Sequence, residues 1–184
     1  MADFLIIGGG LIGMLTARTL SQSGAKVILL ERNHLVGQES SWAGGGIISP
    51  LYPWKYPQAV NELASWSQAH YQALVEELTR DTGIDAEWTQ SGLLVLDEDQ
   101  REAGLAWAPS YAANVQAVDT NTIRELEPAL QAISTPGLWM PDVAQVRNPR
   151  LIKALHEDLR RRGVRIAENS EVTHLLSKRG QIRG

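Results

Sequence analysis

The first strong pattern along the chain is a run of four apolar residues, Phe4-Leu5-Ile6-Ile7, that ends abruptly in glycines. A short continuous apolar run of this kind predicts a strand buried on both faces of a parallel sheet. From about Leu11 to Ser23 the pattern becomes helical, Gly24 stands where a left-handed helix cap is expected, and Lys26 to Leu30 predict a second strand. Strand, glycine turn, helix and strand make a βαβ unit.

Further along, Val60, Leu63, Trp66, Leu74 and Leu78 recur at roughly helical spacing among Glu76, Glu77, Arg80 and Asp81, which predicts one long amphipathic helix from Gln58 to Thr82 ended by Gly83. Residues 86–90, 92–96 and 115–118 read as strands, with a helix over about 98–113 between the last two. Asn121 or Thr122 is expected to cap a short helix that Pro128 stops, and residues 137–140 and 144–146 read as strands joined across Pro141-Asp142. Asn148-Pro149 looks like an N-cap followed by proline at the first helical position, with Leu151, Leu155 and Leu159 on one face up to Gly163. Residues 164–167 and 171–177 alternate like strands, Lys178-Arg179-Gly180 reads as a turn, and residues 181–184 read as the start of a returning strand. An unfinished strand leaves an open edge, so the chain is expected to be the N-terminal half of a longer protein.

Helices alternate with strands at the two ends of the chain, whereas strands outnumber helices in the middle. The expected fold class is therefore α/β. Residues 1–48 and 142–184 would form a discontinuous, incomplete Rossmann-like domain, and 49–141 the start of an inserted α+β substrate domain.

The glycine turn carries the chemistry. Gly8, Gly10 and Gly13 have the spacing G-x-G-x-x-G, follow a strand and open a helix. Gly8 allows the tight turn, Gly10 leaves room for a pyrophosphate, and Gly13 lets the helix lie close to the strand, while Leu11 and Ile12 begin a helix whose N-terminal amides favour an anion. Glu31 ends the second strand near the spacing of about 20 residues expected of an acid that binds ribose hydroxyls. Its charge argues against a 2′-phosphate even with Arg32 beside it, which leaves FAD and NAD. Ser40-Ser41 followed by Gly44-Gly45-Gly46 reads either as a second place where backbone approaches a ligand or as a surface loop. The rings of Tyr52, Trp54 and Tyr56 would pack on the following helix or cover a cofactor.

Composition narrows the choices. The formal net charge of −4 gives no electrostatic case for nucleic acid or an anionic membrane. Without cysteine there is no disulfide, thiolate metal site or cysteine nucleophile, which fits a cytoplasmic protein. The apolar N-terminus lacks a basic flank, carries Asp3 and is broken by glycines, so neither a signal peptide nor a membrane span is expected. His70, within the long helix, has no partner at metal spacing and reads as structural, and no metal site is expected from four scattered histidines. Arg160-Arg161-Arg162 complements a helix dipole. Arg147, Tyr52 and His34 have suitable chemistry but no spacing that assigns them a catalytic role.

Together, the fingerprint, Glu31-Arg32, the SSWAGGGIISPLYPW stretch and DVAQVRNPRL resemble the D-amino acid oxidase family of FAD-dependent oxidoreductases, most closely its glycine oxidase branch, the ThiO proteins of thiamine biosynthesis. The resemblance implies FAD as cofactor, with Gly8, Gly10, Leu11, Ile12, Gly13, Glu31, Arg32, Ser40, Ser41, Gly44, Gly45 and Gly46 along it. It places Val172 where the family holds the adenine through a backbone amide and carbonyl. It also implies oxidation of glycine, sarcosine or small D-amino acids to an imino acid with release of hydrogen peroxide. The substrate carboxylate would be held by an arginine, commonly with a tyrosine, located beyond Gly184, so no catalytic residue is assigned. The alternatives within the same fold are an amino acid or amine dehydrogenase passing electrons to a quinone, or the flavin domain of a tRNA-modifying enzyme. A small amino acid or amine is the expected partner, nucleic acid is not, and the open strand edge favours self-association. Alone, residues 1–184 are expected to bind FAD weakly or not at all and to be inactive.

Overall fold

The computed structural model describes residues 2–178, 181 and 182. It places Phe4–Ile7 in strand β1, Leu11–Gln22 in helix α1 and Val27–Leu30 in strand β2. β1 pairs with β2 in parallel, and β2 pairs on its other side, also in parallel, with β6 (Arg165–Ala167), giving the order β1-β2-β6. Central β2 buries Val27 and Leu29, as a strand flanked on both sides should. The expectation of full burial fails for β1, where Phe4, Leu5 and Ile7 are exposed. The physical reason is its position: β1 is an edge strand with a neighbour on one side only among the described residues.

The chain separates into two compact units. One comprises the residues up to Gly45, Val75–Ala86 and the residues from Arg147; the other comprises Gly46–Leu74 and Glu87–Val146. The long helix α3 (Gln58–Thr82) forms as its pattern predicts, and its last turns, from Val75, belong to the first unit. There Met14, Ala17, Leu78, Leu151, Leu155 and Leu159 are fully buried between α1, α3 and α6 (Asn148–Arg161). A charge cluster lies among the same helices. Arg18, only 7% exposed, donates from Nε to Asp158 Oδ2 at 3.1 Å and sets Nη2 2.8 Å from Glu77 Oε1, while Arg162 Nε donates to the same Asp158 oxygen at 2.8 Å. α6 starts one residue earlier than expected, with Arg147 at the cap and Asn148 as its first helical residue.

The second unit is built on the antiparallel sheet β3-β5-β4, formed by Leu93–Val95, Gly137–Met140 and Gln116–Val118. The helix expected over 98–113 is in three pieces: α4 (Arg101–Trp107) lies between 3-10 turns at Glu98–Gln100 and Ala108–Tyr111, the second containing Pro109. Helix α5 (Thr120–Leu126) is capped by Asp119, whose Oδ1 accepts from Thr122 N at 2.8 Å, rather than by Asn121 or Thr122. Residues 86–90 and 144–146 do not form strands; they meet in a single bridge, Thr89 to Gln145, because Glu87 at φ 58 interrupts the extended backbone. Trp54 packs edge-on to Tyr52 at 5.8 Å, so these rings cover one another.

The apolar stripe of α3 points elsewhere than its spacing suggests. In the first half of the helix Leu63 and Trp66 are 73% and 65% exposed, and Asn61 is the buried residue. In the first unit, residues 171–176 are irregular, and only Ser177–Lys178 (β7) and Gln181–Ile182 (β8) pair, antiparallel. The expected turn at Arg179-Gly180 and the continuation through Arg183-Gly184 lie outside the described residues.

Candidate functional site

The turn after β1 begins with Gly8, whose φ of 102° is open to glycine and strained for other residues, and whose amide donates to Leu30 O at 2.8 Å. α1 then starts against the strand so closely that a Cβ on Gly13 would stand 2.0 Å from Gly8 O. Any larger residue at 13 would push the helix off the sheet. Gly10 occupies the cap position and brings no side chain of its own; Ser41 Oγ reaches in and accepts from Leu11 N at 2.9 Å. The positive end of α1 is thus aimed at the space beside Gly10 and Ser41.

Glu31 closes the other side. It is 7% exposed and its two oxygens accept from different backbone amides: Oε2 from Gly9 and Oε1 from Asn33, each at 2.8 Å. Gly9 approaches tightly, since a Cβ there would meet Val36 Cγ1 at 2.7 Å and Glu31 Oε2 at 3.0 Å. The backbone of Glu31 is equally engaged: its amide donates to Ala167 O at 2.9 Å and its carbonyl accepts from Ser170 N at 2.8 Å. Asn169, at φ 52, donates its amide to Asn33 O at 2.9 Å and turns the chain after β6 back past the acid. This brings Val172 to the same place.

The result is a cleft of about 350 Å³ whose walls include Gly8, Gly10, Glu31, Arg32, Ser41 and Val172. At its mouth the exposed Arg32 guanidinium pairs with Glu39, and Asn33 Nδ2 donates to Glu39 Oε1 at 3.3 Å. The bond from Arg32, that from Asn33 and the charge of Arg32 hold the Glu39 carboxyl below its ordinary value; the same contact raises Arg32.

Of the residues expected at a nucleotide, Leu11, Ile12 and Gly13 form the first turn of α1 beside the cleft without lining it. Nor do Ser40, Gly44, Gly45 and Gly46 line it. Residues Ser40–Ala43 form the single-turn helix α2, and Gly44 O accepts from Asn148 Nδ2 at 2.8 Å, so this stretch is anchored. Arg147, Tyr52 and His34 are also absent from the walls. His70 stacks on Trp66, ring centroids 4.1 Å apart, and its Nδ1 lies 2.7 Å from the Trp66 carbonyl oxygen.

Sequence reasoning missed Gly9, Asn33 and Glu39. Gly9 had a signal in being the middle of three consecutive glycines; Asn33 acts through its backbone amide, which leaves no mark in residue type. Among the described residues no cluster of three or more histidines and acids has metal-binding geometry, and no helix is long and apolar enough to cross a membrane.

Residues 3–184 match the family described as FAD dependent oxidoreductase. The chain is 41% identical to a glycine oxidase of Pseudomonas putida over 98% of its own length and 49% of that protein. It is 31% identical to the bifunctional protein ThiO/ThiG of a Synechocystis species over 98% of its length and 27% of that protein. In structure it superimposes on glycine oxidase from Bacillus cereus with a TM-score of 0.88 at 27% identity, covering 99% of this chain and 50% of the other. The chain spans about half the length of the glycine oxidases it matches.

Proposed function

The chain belongs to the DAO family of FAD-dependent oxidoreductases, and from that premise we propose that its cleft holds the adenosine and pyrophosphate part of FAD and that the protein oxidises glycine or another small amino acid or amine. The residues present fit the group. The first turn of α1 offers backbone amides and a positive dipole to a pyrophosphate, and Gly10 leaves open the space that its Cβ would fill 3.3 Å from Ser41 Oγ. Each Glu31 oxygen accepts one backbone amide and retains a lone pair for a ribose hydroxyl. Val172, on the cleft wall, would hold the adenine through its backbone. The Ser40 to Gly46 stretch continues from the pyrophosphate towards the rest of the cofactor, and the second unit is the start of the substrate domain.

Bound FAD supplies the two-electron chemistry. In the overall reaction an amine carrying an α-hydrogen is oxidised to an imino acid, and oxygen is reduced to hydrogen peroxide. This chain's residues bind and orient; none is assigned a proton-transfer role. The likeness to a ThiO/ThiG protein favours a place in thiamine biosynthesis; a small amino acid or amine as partner, a cytoplasmic location and self-association complete the proposed reading.

The observation that carries the reading is the 41% identity to a glycine oxidase across 98% of the chain, with Gly8 and Gly10 of the fingerprint and the acid Glu31 on the walls of one cleft. The test is oxygen uptake by the full-length, flavin-loaded protein with glycine and sarcosine, beside a peroxide assay. Turnover that requires a quinone or dye and yields no peroxide would replace the oxidase reading with a dehydrogenase.

A further inference from the structure

The part of α3 up to Leu74 belongs to the second unit and is anchored there along one side. Asn61 is buried, and its amide nitrogen donates to Pro53 O at 3.0 Å and Tyr56 O at 3.3 Å; two turns on, Gln68 Nε2 donates to Ile48 O at 2.8 Å. Ala64 and Ser65 on the same side are half-buried. The opposite side carries a stripe of Ala59, Leu63, Trp66, His70 and Ala73, and all five are exposed. Exposed Val60 and Tyr56 widen the apolar surface near its N-terminal end. A contiguous apolar patch of this kind marks an interaction surface more often than scattered single residues do.

Two properties of the stripe identify what covers it. Its residues are spaced by 4, 3, 4 and 3, the alternation by which one helix presents a seam to another. The stripe also fits itself when reversed. Two copies set antiparallel about a two-fold axis between residues 64 and 65 place Ala59 opposite His70 and Leu63 opposite Trp66, and the symmetry repeats both pairs. Each ring then meets a smaller side chain, as interdigitating layers require. A parallel pairing would instead set Trp66 on Trp66 and Ala59 on Ala59, crowding one layer and leaving a gap in another. The two rings are already held in place: Trp66 and His70 stack with centroids 4.1 Å apart, and His70 Nδ1 lies 2.7 Å from Trp66 O. Surface fixed in this way loses little freedom on association. Apart from His70 the stripe has no ionisable group, so it can be buried without stranding a permanent charge.

We infer that this face of α3 is an interface between two copies of the protein, packed antiparallel with Leu63 of each against Trp66 of the other. It gives the self-association of the proposed reading a surface and a register, and it rests on that part of the reading alone.

Sedimentation velocity of the full-length protein over a range of concentrations tests it. Leu63→Glu sets a carboxylate against the Trp66 ring of the other copy in two symmetric places, and should weaken association at least about a hundredfold. Trp66→Lys should do the same. An equimolar mixture of the two variants should regain association, because one layer then sets the introduced carboxylate against the introduced ammonium while the other keeps its Leu63 and Trp66. A parent that stays monomeric, an association unchanged in Leu63→Glu, or a mixture that behaves as the sum of its separate variants overturns the inference. So does a fall in melting temperature of Leu63→Glu that is independent of protein concentration, which would show the face to be covered by the remainder of the same chain. Peroxide formation from glycine by the parent reports on the proposed activity separately, so the two readings can fail apart.

Discussion

Replacing Glu31 with glutamine keeps the size of the side chain and should still damage the protein before any cofactor is added. Both carboxylate oxygens accept backbone amides, Gly9 on one side and Asn33 on the other, at 2.8 Å each. Glutamine has one carbonyl oxygen, so whichever way it turns, its NH2 faces one of those donors. One hydrogen bond to a charged acceptor is lost and the second becomes neutral. At about 1.5–3 kcal/mol for a charged hydrogen bond and about 1 for a neutral one, with a buried amide left unpaired, the apo-protein should lose roughly 2–4 kcal/mol. For a chain of this size that corresponds to a fall in melting temperature of roughly 4–16 °C. Urea denaturation of apo-protein followed by circular dichroism measures the loss directly, and repeating it with FAD at 100 times its Kd separates binding from folding. The parent should gain about 2.7 kcal/mol from the ligand and Glu31→Gln less. An apo stability within about 0.5 kcal/mol of the parent, the usual range for a surface change, would refute the claim that Glu31 holds the glycine turn and the chain after β2 together.

Three other perturbations follow from the same geometry. Asp158→Ala should cost about 3–5 kcal/mol in urea denaturation, because it leaves the Arg18 guanidinium buried with only Glu77 as counter-ion, whereas Arg18→Met combined with Asp158→Leu should be far milder; equal losses would show that the charge is not what matters. Gly13→Ala should abolish FAD-dependent absorbance, since its methyl group would need the space 2.0 Å from Gly8 O, and normal flavin loading would mean that the helix is not packed as described. The Glu157 carboxyl, held down to about 2 by hydrogen bonds from Arg160 and Arg161, should titrate near that value by NMR. Its pKa is depressed on folding, so its contribution to stability is fully present above the ordinary 4.5 and is lost as pH falls from there through 2. A midpoint near 4.5 would show that the two arginines do not bind it.

The βαβ unit was legible because each of its parts has a local cause: an apolar run, three spaced glycines, an amphipathic helix and an acid. What escaped reading depends on partners distant in sequence. Phe4, Leu5 and Ile7 have the composition of a central strand, and their exposure follows from which strands flank them. On α3 the apolar spacing of Leu63 and Trp66 suggested the buried face, but Asn61 lies inward, where its amide nitrogen donates to the carbonyls of Pro53 and Tyr56 in the preceding turn. The left-handed turn at Asn169 steers Val172 into the cleft, while Glu87 in the same conformation interrupts an extended stretch. The site's acid was visible; its hydrogen-bond partners were backbone amides, which every residue but proline possesses.

The pairing of β2 with β6 also sets an order in time. Val27–Leu30 has β1 on one side within moments of synthesis, but its other partner begins at Arg165, about 130 residues later, after the whole of the second unit. At roughly 5–20 residues per second the ribosome needs about 7–27 s to deliver it, and through that interval one edge of β2 and the backbone of Glu31 wait without their partners. The strand that completes the sheet is followed at once by the segment that carries Ser170 and Val172. The cleft is thus assembled only after the second unit has been translated, although Gly8, Gly10, Glu31 and Ser41 on its wall leave the ribosome first.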